Sequence, residues 1–179
     1  MFFIPGFLIS AVTFPGVVVH ELAHYLVCRW TKTPVLAACF FRFGNPAGYI
    51  VHQAPDAPWK SVAISMGPFL VNSLVAMTVT FPAGLKVFVL DATGPLDILV
   101  LWVGISIAMH AIPSRGDAKS MWNSVSGARA GVLTKVVVGP LAALIYVMSI
   151  ASIFWADLIY GVAICMAPPT ILVHILARS

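Results

Sequence analysis

Residues 17–28, VVVHELAHYLVC, decide how this chain is interpreted, because they place two histidines and a glutamate in an otherwise apolar stretch. His20 and His24 are four positions apart, and Glu21 is the single glutamate of the sequence. Ionisable side chains are costly inside a membrane and usually serve a function there. Two properties therefore need an explanation: the solvent around this stretch and the chemistry of its three polar side chains.

Composition indicates that lipid surrounds much of the chain. Of the 179 residues, 60% are hydrophobic and 9% are charged, which is too little charge to cover a soluble domain of this size. The net charge of +4 does not predict nucleic acid as a partner, because the basic residues are scattered and membrane orientation explains them. The three cysteines, Cys28, Cys39 and Cys165, are widely spaced and predict neither a disulfide framework nor a zinc knuckle.

Five segments qualify as membrane-spanning helices, which need about 20 mostly apolar residues. They lie at roughly 3–27, 61–81, 96–112, 132–153 and 156–176. The N-terminal residues MFFIPGFLIS have no positive n-region and no cleavage site, so we expect them to belong to the first helix rather than to a removable signal. The prediction is an all-α polytopic membrane protein, with one domain over residues 1–179, a core at about 3–125 and a C-terminal helix pair at about 132–176.

The distribution of charge predicts the orientation in the membrane. With five spans, nine of the ten basic residues fall on one side, and the other side holds Lys86, Asp91, Asp97 and Asp157. Basic residues favour the cytoplasmic side. We therefore expect the N-terminus outside, the C-terminus in the cytoplasm, and the HELAH residues toward the cytoplasmic side.

The segment at 33–58, between the first two helices, is too apolar for an ordinary loop. Its runs at 35–43 and 49–52 are β-prone, and the residues at 44–48, Gly-Asn-Pro-Ala-Gly, favour a turn. We predict a β-hairpin at the cytoplasmic interface, with an irregular apolar loop as the alternative. An exposed strand edge of this hairpin could hold a peptide segment in an extended form by β-addition.

The residues His20-Glu21-Leu22-Ala23-His24 fit the pattern HExxH. Positions i and i+4 share one face of a helix, so both imidazoles can reach one metal ion, with Glu21 placed as general base. Zinc would lower the pKa of a bound water to about 7. Random placement of these residues produces the pattern on the order of once in a thousand such chains. The alternative is a pair of interfacial histidines beside an ion pair of Glu21 with Arg29.

A tetrahedral catalytic zinc takes three protein ligands and leaves one position open. The candidates for the third ligand are His52, Asp56, Asp91, Asp97, His110, Asp117, Asp157 and His174. The predicted topology removes the three aspartates on the opposite side. It favours Asp117, since Pro113 would end the third helix and let the chain turn back toward the site. His110 remains the alternative.

Asn72 is a candidate for stabilising an oxyanion. It lies twelve residues after Lys60, at a depth comparable to that of the HExxH residues, and a side-chain amide there could donate a hydrogen bond to a tetrahedral intermediate. A polar contact between helices is the alternative, because asparagine is commonly used in this way in membranes.

Together these elements resemble the site-2 protease family of intramembrane zinc metalloproteases. The apolar helix with HELAH is one family signature, the residues at 67–72, Gly-Pro-Phe-Leu-Val-Asn, are similar to its GPxxN element, and Pro113…Asp117 is similar to its Asn-x-x-Pro…Asp-Gly segment. The resemblance covers about residues 10–125, which correspond to the three-helix catalytic core of the family. The chain departs from the pattern in having His110 in place of Asn, a spacing from Pro113 to Asp117 one residue shorter, and Ala118 in place of Gly.

The resemblance implies an intramembrane zinc endopeptidase that hydrolyses membrane-spanning substrates near the cytoplasmic side. It implies one Zn²⁺ per chain held by His20, His24 and Asp117, with Glu21 activating the water and Asn72 stabilising the oxyanion. His110 is the alternative third ligand. The implied partners are a transmembrane protein or peptide substrate and the lipid bilayer.

A catalytically silent relative is the alternative function, namely a scaffold or chaperone that binds membrane proteins. A transporter is disfavoured, because the last two predicted helices carry few polar residues beyond Tyr146, Tyr160 and His174.

Overall fold

The computed structural model describes residues 5–88, 90–126 and 131–178. These residues form seven α-helices and a two-stranded sheet: α1 Gly6–Val12, α2 Phe14–Trp30, β1 Val35–Cys39, β2 Tyr49–His52, α3 Pro58–Phe88, α4 Pro95–Met109, α5 Arg115–Ser126, α6 Val132–Ala151 and α7 Ala156–Leu176. A short 3-10 turn, Ser152–Phe154, joins α6 to α7. The predicted helical class and the predicted hairpin after the HELAH helix are confirmed.

Two helices are long and apolar enough to cross a membrane, Pro58–Val87 within α3 and Ala156–Leu176, which is α7. The pair α1 and α2 meets the same test together, but a bend of 90° separates the two helices. Helix α4, Pro95–Met109, and the stretch Val138–Ala151 within α6 are apolar but shorter. The described residues therefore contain two candidate spans, or three if the bent pair is one span, and five spans stay a prediction.

The bend between α1 and α2 divides the helix that was expected at 3–27. The backbone N–H and the hydroxyl of Thr13 both donate to the Ile9 carbonyl, at 2.8 and 2.7 Å, where α1 ends. Pro15 lies in the first turn of α2. Proline is tolerated there because the N–H groups of the first turn have no acceptor within the helix. A helix that continued through Pro15 would lose a hydrogen bond and clash with the preceding turn, so the chain bends instead.

Two other boundaries differ from the expectation. The helix expected to stop near Pro82 continues to Phe88, since helices in membranes tolerate an internal proline. The region after Pro113 was expected to be a connecting loop, whereas it contains α5. Ala118 and Met121 of α5 are buried with residues of α6, and this packing stabilises a helix that is otherwise polar.

Helices α2, α3 and α4 approach each other closely at glycines. A Cβ atom at Gly16 of α2 would collide with the backbone carbonyl of Ser106 in α4, and one at Gly104 would collide with the Thr80 side chain of α3. Between α2 and α3, a Cβ at Gly67 would lie 2.7 Å from Val27 Cγ2. Small residues that let helix backbones approach are typical of packing in membranes.

Helix α7 packs against this bundle. Cys165 of α7 is buried with Ala76 of α3 and with Ile107 and Ala108 of α4, and the Tyr160 hydroxyl lies 2.6 Å from Ser73 Oγ. Helix α6 packs mainly on α5 instead, through Ala142 and Ile145. The bundle α2–α4 and the first turn of α5 position the candidate site.

Strands β1 and β2 form an antiparallel hairpin with Ala38 opposite Ile50 and Cys39 opposite Tyr49. The pairing ends at Cys39, so β1 is shorter than the β-prone run at 35–43. Beyond it, the Arg42 N–H donates to the Ala47 carbonyl at 2.7 Å and closes the turn. The hairpin contacts α2, next to Glu21, as described below.

Candidate metal centre

His20 and His24 of α2 and Asp117 of α5 bring one potential ligand atom each within 4.8 Å of one another. His24 Nε2 lies 3.1 Å from His20 Nε2 and 3.5 Å from Asp117 Oδ1. Two ligands bound at roughly 2.0–2.2 Å to one tetrahedral ion are about 3.3–3.6 Å apart. Both distances from His24 Nε2 lie within about 0.2 Å of this spacing, and the three residues are the ones that the sequence had indicated as candidate ligands.

Backbone carbonyls set the tautomer of both histidines. His20 Nδ1 is 2.6 Å from the His110 carbonyl oxygen, and His24 Nδ1 is 2.9 Å from the Ile64 carbonyl oxygen. A carbonyl only accepts, so each Nδ1 carries a proton and donates it, and Nε2 of the neutral ring has a lone pair. Two nitrogen lone pairs and one carboxylate oxygen thus lie within 4.8 Å of one another. Such a set of oriented donors suits the binding of a cation.

The other oxygen of Asp117 is fixed by the start of α5. Asp117 Oδ2 accepts hydrogen bonds from the backbone N–H and the hydroxyl of Ser114, at 2.9 and 2.6 Å. Ser65 Oγ of α3 donates to the Asp117 backbone carbonyl at 3.2 Å. These contacts leave Oδ1 facing His24, so the carboxylate offers one defined oxygen to a metal ion.

Ser114, Ser65 and the carbonyl of Ile64 were not predicted as part of the site. Ser114 and Asp117 have the S-x-x-D spacing of a capping box, in which the first side chain caps a helix and the acidic side chain reaches back. That spacing could have predicted both α5 and the contact of Ser114 with Asp117. Ile64 acts through its main-chain carbonyl, so the identity of its own side chain gives no signal for this contact.

Glu21 lies beside the β-hairpin. It is 9% exposed, and a Cβ atom at Gly48 would lie 2.7 Å from Glu21 Cγ. The end of the hairpin therefore packs directly on this side chain. Among the residues that the structure describes, none donates a hydrogen bond to the Glu21 carboxylate.

Asn72 lies between three helices. Its side chain is fully buried, and Nδ2 lies 3.1 Å from the Ile107 carbonyl of α4 and 3.5 Å from the Gly16 carbonyl of α2. Asn72 Oδ1 is buried without a partner among the described residues. This is the interhelical contact given above as the alternative for Asn72, and donation to an oxyanion stays a prediction.

His110 is not one of the three residues whose potential ligand atoms lie together. His110 Nδ1 lies 3.2 Å from the Ser106 carbonyl oxygen, and a Cβ atom at Gly16 would be 2.9 Å from the same Nδ1. The residue contributes to the site through its carbonyl, which accepts the hydrogen bond from His20. Between the two candidate third ligands, the geometry favours Asp117.

Comparison of the chain with protein-family models, with curated proteins and with solved structures gave no match. The resemblance to the site-2 protease family therefore rests on the motif residues quoted above.

Proposed function

We propose that this chain is an intramembrane zinc endopeptidase that hydrolyses peptide bonds of membrane-spanning substrates near the cytoplasmic side. One observation supports the proposal most strongly. The Nε2 lone pairs of His20 and His24 and one oxygen of Asp117 converge within 4.8 Å, beside the single glutamate of the chain. Two imidazoles and one carboxylate form the ligand set of catalytic zinc in many hydrolases.

His20, His24 and Asp117 would hold the ion and leave one position open for water or a substrate carbonyl. When bound there, zinc supplies Lewis acidity, which polarises the scissile carbonyl and lowers the pKa of a coordinated water. The backbone carbonyls of His110 and Ile64 keep the two imidazole rings in the tautomer that this role requires.

Glu21 is the general base in this proposal. Its carboxylate takes a proton from the attacking water and later delivers that proton to the nitrogen of the leaving amine. General acid–base catalysis of this kind contributes about 10²–10⁴-fold to the rate. Asn72 stays the predicted donor to the oxyanion, a role that requires one of its N–H groups to leave a helix carbonyl.

The β-hairpin gives the substrate a place to be held extended. A helical peptide hides its scissile bond in its own hydrogen bonds, whereas a segment added to a strand edge exposes that bond. Gly48 brings the hairpin into contact with Glu21, so a strand bound along the hairpin would pass close to the proposed base.

Metal analysis and cleavage together test the proposal. The purified chain should contain one tightly bound zinc, and the double variant H20A/H24A should contain none. The zinc-loaded chain should cut a fluorogenic peptide that includes an apolar transmembrane segment, and a chelator should stop the reaction. A chain that binds no zinc, or a cellular activity indifferent to Glu21, would favour the scaffold or chaperone instead.

A further inference from the structure

The carbonyl that orients His24 belongs to a residue in the middle of a helix. Ile64 lies in α3, and its carbonyl oxygen is 2.9 Å from His24 Nδ1. In an α-helix each carbonyl normally accepts the N–H of the residue four positions later. For Ile64 that residue is Pro68, which has no N–H to donate. The Ile64 carbonyl is therefore left without its usual helical partner.

His20, the other candidate histidine ligand, is also oriented by a carbonyl that lacks a helical donor, in this case at the end of a helix. His20 Nδ1 lies 2.6 Å from the carbonyl oxygen of His110, and His110 is the residue that follows the last residue of α4, Met109. The last carbonyls of a helix have no partner within it. Both histidines are thus oriented by carbonyls that lack a helical donor, one because the helix ends and one because of a proline.

Gly67 brings the Ile64 carbonyl within reach of α2. A Cβ at position 67 would lie 2.7 Å from Val27 Cγ2 and 3.7 Å from the Ala23 carbonyl oxygen. The absence of a side chain lets α3 approach α2 at the level of His24. In the dipeptide Gly67-Pro68, the glycine permits the approach of the helices and the proline frees the acceptor.

We propose that Pro68 is a positioning residue of the metal centre. Its missing N–H leaves the Ile64 carbonyl free to hold the His24 ring with Nε2 toward His20 and Asp117. The inference rests on the proposed function only in that His24 binds the metal. Its test measures zinc affinity, so the result is independent of whether the chain cleaves a peptide.

The test compares Pro68→Ala with Pro82→Ala in the purified full chain, with zinc affinity measured by competition with a chelator. The Pro68→Ala substitution restores an N–H that competes for the Ile64 carbonyl. We expect roughly 10–100-fold weaker zinc binding, the usual cost of losing a partner that orients a ligand. Pro82 lies in the same helix. The carbonyl four positions before it belongs to Thr78, whereas the two histidines contact the carbonyls of His110 and Ile64. Pro82→Ala should therefore leave the zinc affinity unchanged.

A lactic acid residue at position 68 distinguishes the effect of the restored N–H from the effect of removing the buried proline ring. Lactic acid has the methyl group of alanine, yet its ester linkage lacks an N–H, as proline does. We expect this variant to keep the wild-type zinc affinity. Equal losses in the alanine and lactic acid variants would overturn the inference, and so would a Pro68→Ala chain with wild-type affinity.

The tautomer of His24 gives a second measurement that needs no variant at position 68. Nitrogen NMR of the zinc-loaded wild-type chain should show His24 with its proton on Nδ1, and a proton on Nε2 would overturn the inference. A wild-type chain that binds no zinc would overturn the metal centre and this inference together. Zinc binding that depends on Pro68 in a chain without peptidase activity would overturn only the peptidase.

Discussion

The bundle α2–α4 and helix α6 are both apolar, but their glycines differ in how closely atoms of other helices approach them. In the bundle, a Cβ at Gly16 would collide with the Ser106 backbone, and one at Gly104 would collide with Thr80. In α6, a Cβ at Gly139 would meet no described atom within 4 Å. The helices of the bundle thus approach each other closely at their glycines, whereas α6 has space for a side chain at Gly139.

Polar side chains differ between the two regions in the same way. The bundle buries Ser65, Asn72, Thr80 and Ser106, each less than 2% exposed, and Ser65 and Asn72 join different helices through hydrogen bonds. In α6, Ser149 Oγ donates to the Tyr146 carbonyl of its own helix. Lipid gives little hydrophobic drive to bring helices together, so close packing and buried polar contacts hold the bundle that carries the candidate site.

Removal of a ligand should have the largest effect. Replacement of Asp117 by Ala leaves two imidazoles and no carboxylate, so the chain should lose its zinc and all peptidase activity. Elemental analysis of the purified variant measures the metal content directly. The matched control is His174→Ala near the end of α7, where the metal content should remain one zinc per chain. Full zinc in the Asp117→Ala variant would contradict the ligand assignment.

Replacement of the proposed base should separate catalysis from metal binding. Glu21→Gln keeps the shape of the side chain but cannot accept the proton, so we expect cleavage to fall by about 10²–10⁴-fold. The zinc content should stay at the wild-type level. Cleavage rates and metal content of the same preparation check both statements.

Asp91→Asn serves as the control for this carboxylate, because Asp91 lies in the exposed connection between α3 and α4. Its activity should match that of the wild type. Normal cleavage by the Glu21→Gln variant would rule out Glu21 as the base.

Loss of the Ser114 hydroxyl should weaken the site without destroying it. Ser114 Oγ donates to Asp117 Oδ2 at 2.6 Å, and Ser114→Ala removes that donor while the backbone N–H of the same residue remains. We expect zinc affinity to fall by roughly 10–100-fold, as measured by competition with a chelator. Ser149→Ala in α6 is the matched control and should bind zinc like the wild type. An unchanged affinity in Ser114→Ala would show that the backbone donor alone orients Asp117.

Glycine-to-alanine variants test the packing contrast itself and should have the smallest effects. Gly67→Ala introduces a methyl group against Val27, and such overpacking costs about 1–3 kcal/mol of the free energy of unfolding. Gly139→Ala lies in open space within a helix, where alanine is favoured over glycine by roughly 0.5–1 kcal/mol. Denaturation in detergent should therefore show opposite signs. Equal changes in both variants would mean that the two regions are packed alike.

Several features of the fold could be predicted from local patterns. The hairpin follows from two β-prone runs around a turn, and α4, α6 and α7 follow from apolar stretches between prolines, glycines and polar residues. The bend at Thr13 was missed, although Pro15 is a local signal for it. Helix α5 was missed as well. Its first turn has the capping-box spacing of Ser114 and Asp117, but its residues are mostly polar, and burial of Met121 against α6 stabilises it.

Local sequence alone was enough to identify the two candidate histidine ligands and the candidate base. His20 and His24 share one helical face because of their i, i+4 spacing, and that relation needs no distant contact. The remaining parts of the candidate site depend on tertiary contacts. The carbonyls that orient the rings lie 90 and 40 positions away from the histidines they contact, and the choice of Asp117 over His110 depends on where α4 ends and α5 begins. Contacts at such separations depend on how helices pack, which no local pattern of residues specifies.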